Sequence, residues 1–164
     1  MMNGRTVLAV IPARSGSKRC PNKNFLPYKG KRLIDWAMEA AKASRYIDTV
    51  KLSLDVDRPP ELCTDTAISE DVLRYHLAQM PHDLVVLLQP TSPNRTAEDI
   101  DACIETAQMG DGCISTLRGQ TNGAVYVATA EWIADHNFSD GGLFKYGMDA
   151  SHSLDINVEE DFLK

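Results

Sequence analysis

Short apolar strands alternating with amphipathic helices predict an α/β fold built on a mostly parallel sheet, and three stretches carry that reading. Val7 to Ile11 is a continuous, β-branched-rich apolar run ended by Pro12, and Asp83 to Gln89 holds another; runs of this kind are strands buried on both faces. Between them Leu33, Ile34, Trp36, Ala37, Ala40 and Ala41 form one apolar stripe of a helix, with Asp35, Glu39 and Lys42 off the stripe.

Taken in order, Arg5 to Pro12 is the first strand. Residues 12–30 include Pro12, Gly16, Pro21, Asn22, Asn24, Pro27 and Gly30, too many breakers for regular structure, and read as one long loop. Leu33 to Ser44 is a crossover helix, Val50 to Leu54 alternates as a second strand, and Ser69 to Met80 is helical. Asp83 to Gln89 is followed by a second breaker-rich loop, Pro90 to Arg95, and Thr96-Ala-Glu-Asp99 opens a helix with capping-box spacing. Gly112 to Leu117 and Gly123 to Thr129 are further strands, with a short helix at Ala130 to His136. In a sheet of this class ligands sit beyond the carboxyl ends of the strands, and both breaker-rich loops leave from such ends.

The 164 residues, 43% hydrophobic and 24% charged, suit one domain spanning 1–164. A chain of this size buries roughly 70% of its unfolded surface, enough for a core without disulfides or structural metal. Neither Val7 to Ile11 nor Leu84 to Leu88 approaches the roughly 20 apolar residues of a membrane helix, and Met1 to Arg5 lead into no signal-peptide core. A cytoplasmic protein with no membrane partner is the expectation. Cys20, Cys63, Cys103 and Cys113 stand singly, so they read as buried small hydrophobes or incidental thiols rather than a zinc or disulfide framework.

The formal net charge is −6, yet residues 1–32 hold eight Lys and Arg and no acid, which leaves 9 basic and 23 acidic groups, a net of −14, to the rest. A local basic loop in an acidic body suits one small, highly charged anion. A basic arm for nucleic acid is the alternative, disfavoured because the acidic remainder would repel a long polyanion. The loop Pro12-Ala-Arg-Ser-Gly-Ser-Lys-Arg-Cys-Pro-Asn-Lys-Asn24 follows a strand and mixes small residues with cations. Small residues let backbone N–H groups approach phosphate oxygens, which Arg meets as a fork and Lys as a point charge. It matches neither G-x-x-x-x-G-K-[ST] nor G-x-G-x-x-G, so the ordinary P-loop and dinucleotide readings fail. Composition alone leaves a merely solvated basic loop open.

Residue order resolves that choice. Ile11-Pro-Ala-Arg-Ser-Gly-Ser-Lys18, Pro21-x-Lys-Asn24 and Leu88-Gln-Pro-Thr-Ser-Pro-x-Arg95 resemble the acylneuraminate cytidylyltransferase family, the CMP-sialic acid synthetases. The likeness extends to Arg58-Pro-x-Glu-Leu-x-Thr-Asp-Thr-Ala-x-Ser69, Asn122-Gly-Ala-Val-Tyr126 and Ser153-Leu-Asp-Ile-Asn-Val-Glu-Glu-Asp-Phe162, nearly the whole chain in the family's order. It implies a three-layer Rossmann-like nucleotidyltransferase fold and the transfer of CMP from CTP to a nonulosonic sugar acid, with release of pyrophosphate. By the same resemblance Ala13, Arg14, Ser15, Gly16, Lys18 and Lys23 cradle the triphosphate. Arg14, Lys18 and Lys23 supply its cations, with Lys23 offsetting charge on the α-phosphate and leaving group. Asn24, Arg58 and Ser69 match positions around the cytidine, although Ser69 read alone is a helix N-cap. Gln89, Thr91, Ser92 and Arg95 match the sugar-acid side, where an Arg fork suits a carboxylate.

For Mg²⁺ the family uses two aspartates one residue apart near the C-terminus; here Asp155 is retained and Asn157 replaces the second. On a strand both would share one face, and an amide oxygen still coordinates Mg²⁺ without adding charge. Asp161 reads as a helix-start or surface carboxylate. The chain is also short of the family between Leu54 and Arg58 and between Leu117 and Asn122. The second gap is where the family carries its dimerisation and sugar-contacting insertion, so the nine-carbon acceptor and a domain-exchanged homodimer are both put in question. Two other functions stay open: a catalytically weak nucleotide-binding relative acting as a regulatory or assembly subunit, and a nucleotidyltransferase for a smaller or phosphorylated sugar.

Overall fold

The computed structural model describes residues 1–14 and 22–164. In chain order the strands are β1 (Val7–Pro12), β2 (Pro27–Tyr28), β3 (Lys31–Arg32), β4 (Thr49–Ser53), β5 (Leu84–Leu87), β6 (Gly112–Leu117), β7 (Gln120–Thr129) and β8 (Phe144–Gly147). The α-helices are α1 (Leu33–Ala43), α2 (Ser69–Gln79), α3 (Ala97–Ala107) and α4 (Ala130–Ile133). Six strands form the main sheet in the order β4-β1-β5-β7-β6-β8. β1 pairs in parallel with β4 and β5, and β6 with β8, whereas β7 runs antiparallel to both its neighbours.

Helices cover both faces, and the alternation within β1 shows how the sequence specifies this. Val7, Ala9 and Ile11 join Leu84, Val86, Ala37, Ala41, Ile100 and Ile104 in one core beneath α1 and α3. Leu8 and Val10 point the other way, onto Val85, Leu87, Val72, Leu73, Trp132 and Ile133 beneath α2 and α4. Every residue from Val7 to Ile11 has 0% exposure, the reason its sequence shows no polar alternation. Burying each such side chain contributes about 1.5–3 kcal/mol relative to leaving it in water. A smaller cluster of Tyr28, Leu33 and Ile156 docks the β2–β3 hairpin against the C-terminal segment.

Gly112 permits the tight β6–β7 contact, since a Cβ there would fall 2.1 Å from the Val127 carbonyl oxygen. The two strands are joined by Arg118 and Gly119 alone, both at positive φ (52° and 82°), the geometry of a two-residue hairpin turn. The short Leu117-to-Asn122 gap noticed in the sequence is therefore a closed hairpin.

Four local expectations need correction. Residues 12–30 are not wholly irregular, because Lys23–Phe25 forms a 3₁₀ turn and β2 and β3 pair. Ile68 takes the N-cap of α2, so Ser69 is its first helical residue and caps nothing. Residues 153–157 are not a strand. Strand β8 was not anticipated, since an exposed edge strand of sequence Phe-Lys-Tyr-Gly lacks an apolar signature. The Thr96 capping box is present: Thr96 Oγ1 accepts from the Asp99 N–H at 3.2 Å, and Asp99 Oδ2 accepts from the Thr96 N–H at 3.0 Å.

Candidate functional site

Two cavities open at the carboxyl end of β1 and β5 and meet at Ser69 and Gln89, which line both. The first, about 240 Å³, is walled by Arg14, Lys23, Asn24, Arg58, Ser69 and Thr91, with Pro12, Leu62, Ala67, Ile68 and Val72 among its other residues. Among its described lining residues three are cations and none is acidic. Arg14 lies two residues beyond β1; its carbonyl accepts from Asn24 Nδ2 at 3.2 Å, and its Nη2 meets Asp65 Oδ1 at 2.5 Å.

Arg58 braces the opposite wall. It donates from Nη2 to the Ser53 carbonyl at 3.1 Å and from Nη1 to the Leu62 carbonyl at 2.9 Å, while its Nε is buried with no hydrogen-bond partner among the described residues. A buried orphan N–H costs about 1–3 kcal/mol, and here it belongs to a side chain on the cavity wall. Burial holds the Arg58 guanidinium below its usual value. Behind it His76, 1% exposed, contacts Ser53 Oγ at 2.7 Å through Nε2; burial first, then the charges of Lys51 and Arg58, lower its pKa and favour the neutral ring.

The second cavity, about 260 Å³, has a different lining: Leu87, Ile114, Tyr126 and Phe138 give it apolar and aromatic walls, joined by Thr121, Ser139 and Glu70. Phe138 packs against Tyr126 with ring centroids 4.9 Å apart, and its N–H donates to Glu70 Oε2 at 2.8 Å. Burial first, then the charges of Glu70 and Asp155, raise the Tyr126 phenol pKa.

The sequence-predicted residues divide accordingly. Arg14, Lys23, Asn24, Arg58, Ser69, Gln89 and Thr91 converge on the first cavity. Ser15, Gly16 and Lys18 lie outside the described residues. Ala13 is 1% exposed and spends its N–H on the Ser53 carbonyl at 2.9 Å, so it turns away from the cavity. Ser92 is equally buried and lines neither cavity. Arg95 is the main correction. It is 4% exposed, and its Nη1 and Nη2 donate to the backbone carbonyls of Ala124 and Gln89. Burial brings it down to about 9, still cationic at neutral pH. Its fork ties the Gln89 loop to β7 and is not offered to a ligand carboxylate. The aromatic wall was missed: Tyr126 stood in a recognised motif without a role, and Phe138 comes from a 3₁₀ turn with no sequence signature.

Asp155 and Asn157 remain adjacent without a strand, Asn157 Nδ2 donating to Asp155 Oδ2 at 3.0 Å. The Ile156 N–H between them donates to the Thr91 carbonyl at 2.8 Å, fixing the segment to a wall of the first cavity. Asp161 Oδ2 accepts from the N–H groups of Asn157 and Val158, the helix-start role expected of it. Among the described residues no cluster of three or more acidic, His or Cys side chains forms a cation cage. A carboxylate and an amide oxygen do fit a hard divalent cation that draws its other ligands from phosphate and water, provided the Asn157 amide turns its oxygen outward. No helix among the described residues is long and apolar enough to cross a membrane.

A cation-walled cavity beyond the strand ends of a three-layer sheet suits a nucleotidyltransferase, and residues 8–69 match the family model described as Cytidylyltransferase. The fold is shared at TM-score 0.76 with CMP:2-keto-3-deoxy-manno-octonic acid synthetase complexed with CTP, at 13% identity over 94% of each chain. It is shared at TM-score 0.71 with Rv0371c from Mycobacterium tuberculosis H37Rv in complex with manganese, at 14% identity over 96% of each chain. The chain stands with the cytidylyltransferases. More particularly, it is similar to the acylneuraminate cytidylyltransferases, the family its motifs resemble. It is 34% identical to the N-acylneuraminate cytidylyltransferase of Escherichia coli O18:K1:H7 across 95% of its own length and 50% of that protein. The chain spans about half the length of the curated relatives it matches. That alignment covers 210 residues, while 95% of 164 is about 156, so more than fifty positions of the relative have no counterpart inside the matched region.

Proposed function

We propose that the chain holds CTP in the first cavity and transfers CMP to a hydroxyl of a sialic-acid-like sugar acid whose far end occupies the second, releasing pyrophosphate. The observation that carries this reading is the continuity of the two cavities through Ser69 and Gln89, with cations and the unpartnered Arg58 Nε on one side and aromatic rings on the other. Arg14 and Lys23 take the phosphates. The Arg58 Nε–H finds its acceptor on the cytosine edge, and Asn24 and Ser69 meet ribose and base. Gln89 and Thr91, at the junction, orient the acceptor.

In the transfer, the acceptor oxygen bonds to the α-phosphorus, the bond from that phosphorus to the β-phosphate oxygen breaks, and the hydroxyl proton passes to water. Negative charge grows on the departing pyrophosphate and the equatorial oxygens, where cations already in place lower the barrier without reorganising. Holding both reactants along one line contributes the rest. Asp155 and Asn157 would hold a divalent cation, Mg²⁺ by the family likeness, and a bound cation would neutralise phosphate charge. With Arg95 committed to backbone carbonyls, the acceptor carboxylate lies at the phosphate end, beside the first cavity's cations.

Pyrophosphate release from CTP and Mg²⁺, measured across a panel of nonulosonic and smaller sugar acids, tests the reading. Turnover with at least one such acid is expected. Tight CTP binding with no pyrophosphate from any acceptor would instead favour a binding-only subunit, a reading that rests on Asn157 and the closed β6–β7 hairpin. Turnover with UTP or a phosphorylated sugar would point to a nucleotidyltransferase of another substrate class.

A further inference from the structure

The cation that opens the first cavity already has an anion on it. Arg14 and Asp65 are 51 residues apart, yet their side chains form an ion pair of 2.5 Å, with 29% and 40% exposure. Arg14 comes from the end of β1, and Asp65 from the turn before α2, next to Thr64, which lines the cavity. The segment that leads to Asp65 has anchors of its own. Arg58 binds it to the Ser53 and Leu62 carbonyls, and Asp57 Oδ2 accepts from the Leu54 N–H at 2.9 Å. Asp65 is therefore a tethered anion held at the mouth of a cavity that three cations make attractive to phosphate.

We propose that Asp65 is an internal competitor for Arg14, displaced when phosphate enters and returning to the guanidinium to speed the departure of pyrophosphate. It is a positioning residue that acts through Arg14, and the proposal rests on the reading of Arg14 as a phosphate ligand. Whatever the pair contributes to the empty state is subtracted from the affinity of any ligand that must break it. For a pair as exposed as this the subtraction amounts to a factor of about two to five, small enough for polyphosphate to overcome and large enough to weaken the grip on a product. Substrate and product share the phosphates that Arg14 would touch, so both bind more weakly. The gain is in turnover, because pyrophosphate has lost the nucleoside contacts that retain CTP.

Asp65→Asn, Asp65→Glu, Arg14→Gln and the Arg14→Gln/Asp65→Asn double variant separate this role from a structural one. Calorimetric binding of CTP and of inorganic pyrophosphate at low salt, together with kcat and KM for CTP, gives the readout. Asp65→Asn is expected to bind pyrophosphate about two- to five-fold more tightly, with a lower kcat and a lower KM, and Asp65→Glu to restore the parent values. The difference should close at 0.5 M salt, and Asp65→Asn should have no effect in the Arg14→Gln background. Unchanged or weaker pyrophosphate binding in Asp65→Asn, or an effect that persists without Arg14, would overturn the proposal while leaving CTP binding by the parent intact. A parent chain that binds neither CTP nor pyrophosphate would overturn the phosphate reading beneath it as well.

Discussion

The two cavities that meet at Ser69 and Gln89 are built from opposite materials. One presents Arg14, Lys23 and Arg58 with no acid among its described lining, and the other presents Tyr126, Phe138, Leu87 and Ile114 with Glu70 as its charged group. The first falls largely within residues 8–69, the stretch that matches the cytidylyltransferase model; the second comes mostly from β6, β7 and the turn after α4. The stretch that matches the family model thus makes most of the polar cavity, and residues outside it make most of the aromatic one. Phosphate and cytosine are the same in every cytidylyltransferase, so their wall has little freedom to vary, whereas the acceptor wall must follow its acceptor.

If this division is real, substitutions on the two sides should separate. Lys23→Ala should have the largest effect, lowering turnover about 100-fold or more, equivalent to about 2.7 kcal/mol of transition-state stabilisation, with an unchanged circular dichroism spectrum. Retained turnover would remove Lys23 from the phosphates. Arg95→Ala should damage both sides at once, because it removes the fork that joins the Gln89 and Ala124 carbonyls and leaves Gln89 with the Ser92 N–H alone. A loss of about 3–5 kcal/mol is expected, seen as a fall in Tm of about 10 °C; a small change would mean that the fork is offered to a ligand after all.

Tyr126→Phe keeps the ring and removes the hydroxyl, so KM for the acceptor should rise about three- to ten-fold while CTP affinity stays within a factor of two. An equal effect on both would erase the division. Asn157→Asp should shift the divalent-cation titration of activity to several-fold lower concentration, and an unmoved titration would take position 157 away from the cation.

Smallest is a pH effect behind the polar wall. The folded pKa of His76 lies below its ordinary 6.5, so the unfolded chain takes up a proton first as pH falls. The stability contributed by the neutral ring is present above pH 6.5 and is lost as pH drops toward the folded value. Denaturant titrations between pH 7 and 5 should show this loss, and His76→Gln should flatten it.

How much of this was legible in the sequence follows from what each residue's signal depends on. β1 and β5 are readable because burial on both faces leaves no alternative composition, whereas β8 pairs on one side only and can be any four residues that tolerate an edge. Arg14 and Lys23 stand out because an anion demands cations beside small, turn-forming residues, whereas Asn24 and Arg58 are singled out by motif order alone. Arg95 is placed on the acceptor side by motif order, and only the fold shows the two backbone carbonyls that take its donors. Phe138 carried no signal, since an aromatic after a short helix becomes a cavity wall only once β7 and α2 are packed around it.

Isothermal titration of CTP with Mg²⁺ into the purified chain at moderate salt addresses the polar cavity most directly. Saturable binding of one CTP per chain is expected, weakened at least ten-fold by Arg58→Leu. A titration that releases no heat beyond dilution would mean that the cations beyond β1 do not hold a nucleotide.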